Sequence, residues 1–342
     1  MGYKAEKDKI EKKRIVLKRV ALGILLFCIL ALCIFSSFIA ADSWKYRVGL
    51  PNIPARAEGE MRLHFLDVGQ GDCALVEFPD GKTMLVDGGD GSKAALKNIL
   101  RHLRALDIDE IDYLTVTHAD GDHSGGLKEI LKYVDFNVAF LPPKSLEENA
   151  AYAEFYAELV KTDCERRYAS REQSRLGVSG EDVAYPYVFS FLYPYGDDVE
   201  DILSGDLKVK NDNLYSAVFW LDYCGVSALF TGDAPTEVEE KLMRDDKLGF
   251  FKERGVNLSE TEILKVAHHG SEQSTSAEFL EYLGVETAIV SCGENVYGHP
   301  DQDTLTRLQE ADAEVFRTDE VGSVILSISA EGEMSVLTAN QE

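Results

Sequence analysis

A mixed α/β domain behind one membrane-spanning helix is the fold class the sequence predicts, and three observations predict it. Residues 1–19 carry eight Lys/Arg against three acids and run straight into Val20–Ala41, 22 residues without a charge. From Met61 onward, short runs of β-branched and aromatic residues recur, as strands do. Between them lie segments with apolar residues at three- and four-residue steps, the period of amphipathic helices. Hydrophobic residues make up 45% and charged residues 28% of the 342, a usage that excludes a fibrous repeat or wholesale disorder.

Residues 1–19 form a basic segment and residues 20–41 the span. At about 1.5 Å per residue the uncharged run crosses a hydrocarbon core of about 30 Å. A signal-peptide core is shorter, about 7 to 15 residues, and no clean small-x-small site lies near Ser37–Ala41, so an uncleaved anchor is expected. The basic flank keeps the N-terminus cytoplasmic and sends everything after Asp42 outside the cytoplasmic membrane. Residues 42–60, with Gly49, Pro51, Pro54 and Gly59, read as a linker. The folded domain is expected over 61–330. Strands are expected at Arg62–Leu66, Cys73–Phe78, Thr83–Val86, Tyr113–Thr117, Asn137–Leu141, Tyr187–Tyr193, Ser216–Asp222, Val226–Thr231, Ile263–Ala267, Thr287–Ser291, Glu314–Arg317 and Ser323–Ser329. Helices are expected at Ser92–Ala105, Gly125–Tyr133, Ala151–Val160, Pro235–Met243, Ser276–Tyr282 and Gln302–Ala311. Residues 144–186 are more polar and read as an insertion over one edge of the site, and 331–342 as a C-terminal tail.

The 35 Lys/Arg against 60 Asp/Glu give −25, and because residues 1–19 are +5 the remainder carries −30. A broad basic grip on a polyphosphate is thereby disfavoured, which makes nucleic-acid binding harder without excluding it. No C-x-x-C occurs. Cys73, Cys224 and Cys292 fall in apolar, strand-like surroundings and read as small buried hydrophobes. The acidic runs 197–201 and 237–240 read as solvated surface.

Chemistry concentrates in Thr117-His118-Ala119-Asp120-Gly121-Asp122-His123-Ser124-Gly125-Gly126. Two imidazoles and two carboxylates in one tight loop are ligand types of hydrolytic Zn or Mn sites, and the spacing lets one turn serve two metals. A purely structural turn would crowd four titratable groups with nothing to neutralise them.

This H-x-D-x-D-H-x-G-G run resembles the signature of the metallo-β-lactamase fold, usually H-x-H-x-D-H, with Asp120 at the second histidine position. The variant resembles the extracytoplasmic domain of ComEC-type DNA-internalisation competence proteins. Further segments agree in order: Leu66-Asp67-Val68-Gly69-Gln70-Gly71-Asp72, Leu85-Val86-Asp87-Gly88-Gly89, Phe230-Thr231-Gly232-Asp233, Lys265-Val266-Ala267-His268-His269-Gly270-Ser271 and Asn295-Val296-Tyr297-Gly298-His299-Pro300. The resemblance spans residues 61–329 and implies an αββα sandwich and a nuclease acting on the strand that is not imported. One span and no multi-helix channel lead to the expectation of the hydrolase module without the transporter.

With the family as guide, Asp233 would bridge two cations, His118 and Asp120 would bind the first metal, and Asp122 and His123 the second. No histidine lies between His123 and Asp233, where the family's third motif would supply one. His269 is therefore expected on the first metal and His299 on the second, with His268 facing substrate, the adjacent pair being interchangeable at this level. Asp122 and His268 are the expected catalytic residues. Asp87 would orient the ligand loop, and Asn213 and Ser216 match an N-x-x-S element of ComEC-like sequences that would hydrogen-bond near the metals. Lys265 reads equally as a contact to a substrate anion or a solvated strand end. His64 reads as structural and His102 as exposed or partly packed.

Two divalent ions, Zn²⁺ or Mn²⁺, would lower the pKa of a shared water towards about 7. The hard Asp120 tilts the site towards phosphorus centres rather than lactam carbonyls, and no G-x-S-x-G elbow offers a nucleophile. The leading expectation is a membrane-tethered phosphodiesterase acting on DNA. A small or cell-envelope phosphodiester, of choline-phosphate or teichoic-acid type, is the alternative substrate. A non-catalytic binding protein with a degenerate site is the alternative of another class. Nothing in the sequence points to a protein partner.

Overall fold

The computed structural model describes residues 2–37, 44–144, 149–171 and 184–339. The chain divides into two compact units, Met1–Gly49 and Leu50–Glu342. The first holds α1 (Gly2–Ser37). Its stretch Glu11–Ile34 is long and apolar enough to cross a membrane, and residues such as Leu17 and Phe27 have no protein cover. Residues 38–41 of the expected span and 42–43 of the linker lie outside the described residues.

The second unit begins with β1 (Met61–Phe65), β2 (Ala74–Glu77), β3 (Thr83–Val86), α2 (Lys93–Ala105) and β4 (Glu110–Thr115). There follow α3 (Gly121–Ser124), α4 (Leu127–Ile130), β5 (Asp135–Leu141), α5 (Ala150–Leu159), β6 (Glu165–Tyr168), β7 (Tyr187–Tyr193), α6 (Gly196–Ser204), β8 (Val218–Tyr223) and β9 (Val226–Phe230). The chain closes with α7 (Thr236–Lys247), β10 (Ile263–Lys265), α8 (Ala277–Leu283), β11 (Thr287–Val290), α9 (Gln302–Glu310), β12 (Glu314–Arg317), α10 (Thr318–Val321), β13 (Val324–Ile328) and β14 (Met334–Thr338). One sheet runs β14-β13-β1-β2-β3-β4-β5-β6 and the other β12-β11-β10-β9-β8-β7.

Strand alternation explains the layers. Leu63 and Phe65 face the second sheet, where Phe65 stacks on Phe230 with ring centroids 5.5 Å apart. His64, between them, faces α2 and reaches His102. On the far side, Val238, Leu242, Phe279, Leu280 and Leu308 of α7, α8 and α9 cover Leu192, Trp220, Leu229, Leu264 and Val290. The result is the αββα sandwich. Strands β3 to β6 and β9 to β12 run parallel, so their C-terminal ends open on one edge, where open α/β sheets place their ligands.

Several expectations are corrected. The single helix expected at Gly125–Tyr133 is two short ones, because a Cβ at Gly126 would collide with the Gly88 carbonyl and one at Gly125 with the Asp90 carbonyl. The tail 331–342 contains β14, antiparallel to β13; residues 340–342 lie outside the described residues. Within the expected insertion 144–186 lie α5 and β6, and β6 extends the first sheet by pairing parallel with β5, while residues 145–148 and 172–183 lie outside the described residues. The acidic side chains of 197–201 are largely solvated, on α6, whereas in the run 237–240, expected as solvated surface, Glu239 is buried because its carboxylate accepts from the backbone N–H groups of Thr275 and Ser276. Cys224 is exposed in the β8–β9 turn at φ +54°, whereas Cys73 and Cys292 are buried.

Candidate metal centre

Every element of the site follows a strand that ends on that shared edge. Past β3, Asp87 adopts φ +60° and is fully buried. Its Oδ1 accepts from the Thr117 backbone N–H at 2.8 Å and its Oδ2 from the Thr117 hydroxyl at 2.6 Å, so the chain leaving β4 is clamped before the ligands begin. His123 Nδ1 lies 2.9 Å from Asp87 Oδ2, the Gly88 N–H donates to the His123 carbonyl at 2.7 Å, and the Asp72 N–H donates to the Asp122 carbonyl at 3.1 Å. A Cβ at Gly71 would collide with that Asp122 carbonyl, so only glycine fits there.

Asp233, past β9, is the hub. Its backbone N–H donates to Ser216 Oγ at 3.2 Å. Its Oδ1 lies 3.2 Å from His123 Nε2, and its Oδ2 lies 3.7 Å from Nε2 of His118, His268 and His269 alike. Past β10, His268 and His269 take φ +50° and +55°, sparsely populated values for bulky residues. The His268 N–H bond to the Gly232 carbonyl, at 3.1 Å, helps hold them there. The outcome is that two adjacent side chains both face the cluster.

Hydrogen bonds fix the tautomers of three imidazoles. His269 Nδ1 meets the Ser291 carbonyl at 2.9 Å, a group that only accepts, so the proton is on Nδ1. His123 Nδ1 meets the Asp87 carboxylate, and His118 Nδ1 meets Thr117 Oγ1 at 3.1 Å, whose own proton goes to Asp87. Each neutral ring therefore presents an Nε2 lone pair inward. Those lone pairs face carboxylates: His269 Nε2 is 3.2 Å from Asp122 Oδ2, and His118 Nε2 is 3.6 Å from Asp120 Oδ2. The Nε2 atoms of all three rings and Asp233 Oδ1 are buried without a hydrogen bond. Acceptor against acceptor in a buried place is repulsive unless a proton or a cation stands between.

The titration behaviour says the same. Burial disfavours a charge on His123, yet Asp233 and Asp87 outweigh it and push its pKa well above the ordinary value. Burial is likewise outweighed at His269, which Asp233, Asp122 and Asp72 push up to about 9. Asp122 is held at about 2 against burial by His269 and His123. His268, less enclosed, is lowered by burial. The donor set fits divalent cations.

The expected ligand pairing changes in two places. His269 sits with Asp122 and His123, not with His118 and Asp120. His299 stands edge-on to His268 with centroids 5.0 Å apart and has no carboxylate within ion-pair distance among the described residues. The reason is backbone: consecutive left-handed residues bring both imidazoles to Asp233 but give them different neighbours, Asn213 for His268 and Asp122 for His269, which spacing does not reveal. Asn213 Nδ2 is 3.4 Å from His268 Nε2. Lys265 is not a solvated strand end, and its ammonium is engaged within the protein rather than free for a substrate anion: it is buried, 2.6 Å from Asp72 Oδ2. Asp72 also belongs to the cluster, a residue that the motif did not single out, its only signal being an acid after two glycines. It lies on the Nδ1 side of His269, at 3.4 Å, and of His123, at 3.9 Å. Its Oδ2 is taken by Lys265, so although Asp72, His123, Asp233 and His269 each bring a ligand-type atom within 4.8 Å of the others, Asp72 stands behind the rings.

The family model described as "Metallo-beta-lactamase superfamily" matches residues 66–294. The chain is 31% identical over 291 residues to ComE operon protein 3 of Bacillus subtilis, covering 78% of this chain and 33% of that one. It is 30% identical over 264 residues to Recombination protein 2 of Haemophilus influenzae, covering 76% and 28%, and 29% identical over 276 residues to Competence protein ComA of Neisseria gonorrhoeae, covering 80% and 33%. The chain thus spans about a third of the length of these curated relatives.

Proposed function

The chain belongs to the metallo-beta-lactamase superfamily, and from that premise we propose that it is a membrane-anchored, extracytoplasmic phosphodiesterase acting on DNA. In this reading His118, Asp120 and His268 would hold one divalent cation, Zn²⁺ or Mn²⁺, and Asp122, His123 and His269 a second, with Asp233 available to both. One observation carries it: three imidazoles with fixed tautomers aim buried lone pairs at carboxylates. Charge agrees in number. Around the cluster, among the described residues, Asp72, Asp87, Asp120, Asp122 and Asp233 stand against the buried ammonium of Lys265, leaving four negative charges, the complement of two divalent ions.

When bound, such cations act as Lewis acids on phosphoryl oxygens and lower the pKa of a shared water. The protein's part is to hold the ligands in place: Asp87 and the Ser291 carbonyl fix ring orientation, and Lys265 neutralises Asp72 behind them. Asp122, about a third exposed where Asp233 is enclosed, is the carboxylate assigned to the reacting side, with His299 facing substrate. The hard ligand Asp120 favours phosphorus centres, and relatives named for competence and recombination favour DNA. The net charge of −25 favours the second reading, a small or cell-envelope phosphodiester. Metal analysis of the reconstituted chain should find two ions, and a reproducible value below one would overturn the dinuclear reading. Asp122→Ala should lower bis-(p-nitrophenyl) phosphate turnover by about 10²- to 10³-fold with an unchanged far-UV spectrum. Near-native turnover with unchanged metal content would overturn the assignment of Asp122.

A further inference from the structure

Beside the cluster, the loop after β11 exposes two large apolar side chains on a fixed backbone. Val296 is 94% and Tyr297 72% exposed. The backbone is held by one side chain: Asn295 Oδ1 accepts from the N–H groups of Tyr297, Gly298 and His299 at 3.0, 2.9 and 3.1 Å, and its Nδ2 donates to the carbonyls of Gly293 and His299 at 2.8 and 2.5 Å. The Tyr297 ring lies 5.9 Å from that of His299, which lies 5.0 Å from that of His268, so the aromatic stands two side chains from Asp233. Near His118, Val209 lines the same cavity as His118 and Asp212, and its neighbours Lys208 and Lys210 are exposed.

We propose that Tyr297, flanked by Val296, is a stacking platform for a nucleobase next to the scissile phosphate, with Lys208 and Lys210 meeting phosphates further along a single strand. The inference rests on the phosphodiesterase reading and names its substrate class, a nucleoside phosphodiester with unpaired bases. An aromatic ring recognises any base by its π face without needing positive charge, which suits a chain of net charge −25. Bases of a duplex are already stacked on one another, so only unpaired ones offer that face. The preorganised loop means little ordering is needed on binding.

The test uses the full chain in detergent with its metals, as wild type, Tyr297→Phe, Tyr297→Leu and the double variant Lys208→Ala/Lys210→Ala. Substrates are a thymidine oligonucleotide, its fully abasic counterpart and a thymidine dinucleotide; binding is read separately by fluorescence anisotropy on a cleavage-resistant phosphorothioate strand. Tyr297→Leu should raise KM and Kd for the base-bearing strand about tenfold, with kcat within about twofold, and Tyr297→Phe should behave as wild type. The wild type should lose the same factor on the abasic strand, where Tyr297→Leu costs nothing further. The lysine variant should weaken the oligonucleotide and spare the dinucleotide. Efficient cleavage of the dinucleotide alone would identify a small nucleotide as the source of the base. A wild type that cleaves base-bearing and abasic strands equally, or a Tyr297→Leu variant unchanged on the base-bearing strand, overturns the platform and leaves the phosphodiesterase reading standing. Absence of any phosphodiester cleavage by wild type overturns both.

Discussion

Single residues at this site are explained by what stands behind them. Lys265 is the clearest case, since the sequence offers a strand-end lysine and the structure buries its ammonium against Asp72. Burial works against charge on Asp72, and Lys265 with His269 holds it below the usual carboxylate range. Removing one partner of such a pair costs about 3 to 5 kcal/mol, while removing both is far cheaper. Lys265→Met should therefore lower the denaturation midpoint strongly, and Lys265→Met/Asp72→Asn should recover most of the loss; a double variant as unstable as the single one would rule out the charge explanation. His102 carries a second prediction. It is buried against His64 Nδ1, whose other nitrogen meets Glu77, so the expectation of an exposed or partly packed ring fails. Burial lowers the pKa of both histidines, that of His102 well below the ordinary value. The unfolded chain then binds protons that the native one does not, so stability is full above about pH 6.5 and falls as the pH drops towards the folded values, by at most about 1.4 kcal/mol per unit for each ring. His102→Gln keeps a donor towards His64 without titrating. Denaturant titrations of the metal-saturated chain between pH 7 and 5 should show a slope shallower than that of wild type by up to about 1.4 kcal/mol per pH unit, and an unchanged slope would exclude His102 as a source.

At the level of elements, the ligand loop is placed by contacts between backbones. Glycines 125 and 126 let the α3–α4 turn lie directly on the segment 88–91, and this brings His123 to Asp87. Gly126→Ala sets a Cβ against the Gly88 carbonyl, a backbone atom that cannot yield as a flexible side chain would. A loss of about 2 kcal/mol or more is expected, together with reduced metal content, both readable by calorimetry and elemental analysis. Unchanged stability would mean that the turn re-forms elsewhere. The same contact explains why periodicity, which counts apolar residues, predicts one helix where two stand. The strands β6 and β14 escaped the sequence reading for another reason. Glu-Arg-Arg-Tyr and Met-Ser-Val-Leu-Thr lie at sheet edges with one face open to solvent, so little apolar alternation marks them.

For the whole molecule, the +5 segment before an uncharged run predicts that the catalytic unit faces away from the cytoplasm. Protease added to intact spheroplasts should digest the domain and spare the N-terminal segment. Complete protection, or a soluble product beginning near residue 42, would contradict the anchored topology. A membrane tether and a net charge of −25 would act together on substrate choice: like charge repels long polyanions at low ionic strength, and salt screens that repulsion over about 10 Å at 0.1 M.

The sequence by itself determined the class of fold, the apolar span, the succession of most strands along the chain and the presence of a loop of ligand-type residues. These are properties of local period and residue chemistry, and a loop such as His118–His123 declares its chemistry through composition alone. Only the tertiary structure decided which residues stand together. It put His269 with Asp122, moved His299 beside His268, recruited Asp72 from the β1–β2 connection and buried Lys265 beneath it. The reason is that these partners meet across separate strand ends, where left-handed backbone at Asp87, His268 and His269 sets the direction of each side chain, and direction in space is not written in spacing along a chain.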